Sequence, residues 1–144
     1  MHRLQRTRRD PGVAFIKPPP SLVRVGETFQ VKIRAPSSND NGAFAFVTLG
    51  RVSVSLAPLY ETYSWSQDPI QGCLSGSWQK EDQSSSGGVQ FETIEFRSIS
   101  INRPGVYVLK ISLFSEPTFE DLRGTIASVE QIKDFHSDMF TVDA

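Results

Sequence analysis

The stretch SISINRPGVYVLKISLF, residues 98–114, constrains this chain more than any other. It holds two runs in which apolar and polar residues alternate, parted by Arg103, Pro104 and Gly105. Successive side chains leave a pleated backbone on opposite sides, so strict alternation marks strands with one face in a core and one in water. In the second run Tyr107, Leu109, Ile111 and Leu113 share one face, and Val106, Val108, Lys110 and Ser112 share the other. Pro104 is pre-set for the second position of a turn and Gly105 tolerates positive φ at the third. Residues 103–106 are therefore expected to form a type II turn.

The same patterns recur along the chain. ETFQVKIR, residues 27–34, places Phe29, Val31 and Ile33 on one face and Gln30, Lys32 and Arg34 on the other, a half-buried strand. Residues 43–57 read as two strands separated by Gly50, with Val52, Val54 and Leu56 inward. CLSGSW predicts a short strand, whereas residues 58–72 show no period and read as a long connection. VQFETIEF changes phase between Phe91 and Ile94, which predicts a β-bulge, and the phase slips again before Ile99. Ile126, Val129 and Ile132 recur every third residue and suggest at most one short helix. The triplet Pro18-Pro19-Pro20 imposes extended backbone. Many short strands with Gly, Pro and Asn turns predict an all-β fold, a sandwich or barrel. Its 144 residues suit one domain over 22–144, preceded by an arm or edge segment over 1–21.

Chemistry is sparse. Only two histidines could act as imidazole bases. His2 sits in a terminal segment, and His136 lies in KDFHSDMF, where it reads as a surface residue before the last strand. Cys73 has no neighbouring cation to activate it and reads as a small buried filler. As the only cysteine it can make no internal disulfide, so the fold must be held by its core. There is no C-x₂-C, H-x-H or H-E-x-x-H spacing, and SSNDNG lacks the later glutamate of a calcium loop. An enzyme, a metal site and a cofactor are not expected, nor is a small-molecule substrate. No apolar run reaches the 18 residues or more that suggest a membrane helix, and MHRLQRTRRDPG has no apolar continuation, so an intracellular protein, nuclear or cytoplasmic, is expected.

The basic segment stands out. Residues 1–34 carry eight basic and two acidic side chains, a net of +6, and the remaining residues carry −7. Arg3, Arg6, Arg8 and Arg9, continued by Lys17, Arg24, Lys32 and Arg34, could contact nucleic-acid phosphates through their charge and, for arginine, its planar fork. The alternative is a solvated basic tail.

Two resemblances bear on function. Gly105, Tyr107 and Leu109 match the start of the F strand in immunoglobulin-like domains, where the tyrosine hydroxyl bonds back to nearby backbone and a disulfide cysteine stands two residues later. Here Leu109 takes the cysteine position. The stretch LSGSW … GGVQFETIEFRSISINRPGVYVLKISLF with HSDMFTV also resembles the second half of the velvet domain of fungal regulators. The matching positions are Leu74, Ser75 and Gly76, Phe91 or Phe96, Tyr107 and Leu109, Ser112 to Phe114, and Ser137, Phe140, Thr141 and Val142. Bacterial-type immunoglobulin-like domains share the leucine, glycine and tyrosine pattern. The velvet resemblance implies an immunoglobulin-like, Rel-like sandwich of about seven to nine strands. It also implies a homo- or heterodimer that contacts DNA through the basic segment. The other reading is an immunoglobulin-like protein-interaction or structural module, with Tyr60, Tyr63 and Trp65 as loop anchors for a partner.

Overall fold

A computed structural model describes residues 12–56, 59–81, 88–119 and 127–144, with backbone only at 54–56, 59–61 and 127. In chain order the first strands are β1 (Ala14–Lys17), β2 (Leu22–Arg24), β3 (Phe29–Pro36), β4 (Phe44–Leu56) and β5 (Leu59–Ser66). Short strands β6 (Ile70–Gln71), β7 (Ser75–Ser77) and β8 (Gln79–Lys80) follow. Then come β9 (Phe91–Ile101), β10 (Gly105–Phe114), β11 (Thr118–Phe119), β12 (Ala127–Ser128), β13 (Gln131–His136) and β14 (Phe140–Asp143).

These strands form an all-β sandwich. One sheet runs β1-β3-β9-β6 with β8 also on β9, and the other runs β2-β14-β10-β4-β5 with β13 on β10 and β7 on β4. A small pair, β11 and β12, stands apart. The first edge strand divides between the sheets: β1 pairs antiparallel with β3, and β2 pairs parallel with β14. Pro18 to Pro20 span the crossing, where extended backbone without a ladder is what proline supplies. The connection from β9 to β10 crosses from one sheet to the other, and so ties the two layers together.

Alternation built the core. Val31, Ile33 and Ala35 of β3 and Ile94, Phe96, Ile99 and Ile101 of β9 face Ala45, Val47 and Leu49 of β4 and Tyr107, Leu109, Ile111 and Leu113 of β10. Tyr107 Oη donates to the Arg103 carbonyl at 2.8 Å, the backbone bond of a tyrosine corner. The turn before it differs from expectation. Gly105 has φ +157, not the +80 of a type II turn, and a Cβ there would meet the Tyr107 ring at 3.2 Å.

Other expectations are corrected. β4 runs without a break through Gly50, so Val52 lies on the outer face with Gly50 and not in the core. Residues 59–66 form a full strand, β5, where a connection was expected. Residues 127–128 and 131–136 are strands, not a helix. β9 is regular from Phe91 to Phe96, with Phe91 facing outward under the Arg34 guanidinium, 3.8 Å from the ring centroid. The true irregularity comes later, where Ser98 has φ +55 and the β3 register shifts. Cys73 is exposed, not buried.

β13 and β14 share one side of β10, and Ser137 makes the joint between them. Its N–H donates to the Leu109 carbonyl at 2.8 Å, and its Oγ accepts the Leu109 N–H at 2.9 Å. A side chain thus completes a ladder where the backbone turns aside. Ser137→Ala leaves that buried amide without its acceptor, and a loss of about 1–3 kcal/mol is expected in urea unfolding.

Candidate interaction surfaces

Among the described residues, the sequence-predicted cations do not gather into one basic face. Arg3, Arg6, Arg8 and Arg9 lie outside the described residues. Lys17, Lys32 and Arg34 share the outer face of the β1-β3-β9 sheet, but carboxylates are interleaved with them. Arg34 makes two bonds to Glu81, at 2.9 and 3.1 Å. Lys32 stands opposite Glu95, which also bonds Gln30 and Arg97. Lys17 Nζ donates to Gln30 Oε1 at 3.0 Å. Arg24 belongs to the other sheet, beside Asp143. Half-exposed ion pairs of this kind neutralise the face locally and contribute little stability.

The other sheet presents a different surface. Trp65 on β5 stands opposite Gly50 on β4, and its indole lies across the glycine: a Cβ at Gly50 would come within 2.7 Å of Trp65 Cε3. The missing side chain lets the ring reach over β4 toward β10 and β13. There Lys110 Nζ sits 4.3 Å from the Trp65 ring centroid and the His136 ring 5.3 Å from it. Tyr63 stacks alongside Trp65 at 5.7 Å and an interplanar angle of 28°. The same outward phase carries Phe46 and Val106, and the stacked pair Phe44 and Phe114 at 5.3 Å. Phe46 is 41% exposed, Tyr63 39%, Trp65 37% and Val106 39%.

This face holds two of the three aromatics anticipated as anchors, now on a strand instead of a loop. The side chain of Tyr60 lies outside the description. His136, expected at the surface, belongs to the same cluster. Sequence reading missed Phe46, Lys110 and the part played by Gly50, because only the β4–β5 register shows that a glycine faces a tryptophan.

At one end of the sandwich, where β3 leads into β4 and β10 leads toward β13, lies a cleft of about 720 Å³. Trp78, Lys80, Glu92, Glu116 and several serines line it. Among the described residues no three His, Cys, Asp or Glu side chains come together as metal ligands, and no helix is long and apolar enough to cross a membrane. No family model matches the chain, and no curated protein matches it.

Proposed function

We propose that this chain is a non-enzymatic protein-interaction module that pairs face to face with a second copy of itself through the outer face of the β5-β4-β10-β13 sheet. The observation that carries this reading is the exposed aromatic cluster of Tyr63, Trp65 and Phe46 on a rigid sheet. Large aromatic side chains in such positions are the usual energetic anchors of interfaces. A second copy is the partner that fits because a two-fold contact needs a patch complementary to itself. An apolar centre with one cation, Lys110, and one anion, Asp134, at diagonal outward positions meets that need.

A velvet-like regulator would also dimerise, and would add DNA as a further partner. For that contact the described cations give little support: Arg34 is engaged by Glu81 and Phe91, Lys17 by Gln30, and Lys32 faces Glu95.

Sedimentation velocity over about 1–100 µM protein tests the pairing. A concentration-dependent monomer–dimer equilibrium is expected, and Trp65→Ala should weaken it at least tenfold while leaving a cooperative thermal transition, roughly the cost of losing one anchor. A chain that stays monomeric throughout the range overturns the reading.

A further inference from the structure

We infer that the end cleft is a receptor for a guanidinium group, with Glu92 as its buried acceptor. The site is independent of the aromatic face on which pairing rests.

Glu92 is the anomaly that points there. It shares the inward phase of β9 with Ile94 and Phe96 and is only 8% exposed. An ionised carboxylate in such a place is costly unless donors meet it. The donor present is weak. Asn41 Nδ2 lies 3.5 Å from Glu92 Oε2, while the same amide donates to the Pro36 carbonyl at 2.7 Å. Glu92 thus faces a cleft of about 720 Å³ with most of its accepting capacity unused among the described residues.

The surroundings select the ligand. Glu116 adds a second carboxylate to the lining. Trp78 forms a wall, held in place by its Nε1–H donating to the Asn41 carbonyl at 3.1 Å. Lys80 stands opposite Glu92 in the β8–β9 pairing, yet is exposed, and no ion pair within 4 Å joins the two. A buried carboxylate beside an aromatic ring suits a planar, weakly hydrated cation better than an ammonium. Two parallel N–H groups can meet both oxygens while the plane lies against the ring. The molecule already uses this arrangement once: Arg34 is held by two bonds to Glu81 and packs over Phe91. The cleft offers the same pairing of carboxylate and ring, without the arginine.

The guanidinium can come from another protein or from this chain. Ala14 pairs with Arg34, so the backbone enters β1 at the cleft end of β3, and Arg3, Arg6, Arg8 and Arg9 precede that point.

Nuclear magnetic resonance titration of the full chain tests the site, with argininamide as probe and citrullinamide as its uncharged counterpart. Argininamide is expected to shift the Trp78 indole N–H and Gly42 amide signals saturably, and citrullinamide to leave them in place. Glu92→Gln should weaken the response roughly tenfold, the loss expected for removing a charged hydrogen-bond partner, with a cooperative melt retained. Glu116→Gln should weaken it less. Equal responses to the two probes overturn the proposal. So does silence in the wild-type chain, in Lys80→Ala and in the chain with Arg3, Arg6, Arg8 and Arg9 all changed to alanine, the variants that remove the cations able to compete from within. Changing Arg3, Arg6, Arg8 and Arg9 together to alanine separates the sources: tighter argininamide binding identifies this chain's own arginines as the occupant, and unchanged binding identifies another molecule.

Discussion

Gly72→Ala is expected to cost the sandwich about 3 kcal/mol of unfolding free energy, far more than one methyl group ordinarily does. Gly72 lies between β6 and β7 at φ +128, a backbone conformation that costs an alanine strain by itself. The added Cβ would also overlap the Ser98 carbonyl oxygen and come within 2.8 Å of Ile99 Cα. Every one of these neighbours is backbone, so no side chain can rotate away. The contact is further fixed by the Cys73 N–H, which donates to the Arg97 carbonyl at 2.9 Å. The turn and the β9 bulge therefore hold each other. Gly88→Ala is the matched control: its φ is +92, but a Cβ there meets nothing within 4 Å, so only about 1 kcal/mol should be lost. Equilibrium urea unfolding of both variants checks the contrast; equal losses would show that the Ser98 contact is not what makes Gly72 necessary.

Leu109→Ala should be as damaging, by about 2–5 kcal/mol, for a different reason. Leu109 is fully buried at the centre of β10. With one cysteine the chain can make no internal disulfide, so here the junction between sheets depends on packing. Its backbone N–H and C=O are both bonded to Ser137, which pins the strand in place and limits how far the neighbours can relax into the hole. Denaturant unfolding should show a lowered midpoint with an unchanged slope, since the truncation empties volume without altering the fold.

What could be read from the chain followed from where water lies. β3 alternates buried with half-buried positions, and its period located the strand and its core-facing residues. On β10 the same period located Tyr107, Leu109, Ile111 and Leu113, although Val108 and Ser112 on the opposite face are buried as well. β5 was invisible to the same reasoning because residues 62–66 are exposed on both faces, and a strand with no dry side has no reason to alternate. In β13 the apolar Ile132 is exposed and the half-buried positions are Lys133 and Phe135, so the three-residue spacing of Ile126, Val129 and Ile132 was a coincidence of composition. Phe91 misled because a guanidinium covers it, a contact made by a residue 57 positions earlier in the sequence. Cys73 lies in a connection, where nothing local distinguishes a buried small residue from an exposed one. The surface sites were the least legible. Trp65 and Tyr63 could be named as anchors, but their assembly with Lys110 and His136 depends on three strand pairings. Glu92 was not singled out at all, since an alternating strand gives no sign that one of its inward positions opens onto a cleft.

The parallel pairing of β2 with β14 has a mechanical consequence. Thr141, Val142 and Asp143 run beside Leu22, Val23 and Arg24 in the same direction. Tension that enters the sandwich at the start of β2 and leaves from the end of β14 pulls these two strands lengthwise in opposite senses. Their hydrogen bonds are then loaded together in shear, instead of being peeled apart one after another. Linked in series under a stretching load, units joined this way would resist extension until the whole seam gives at once.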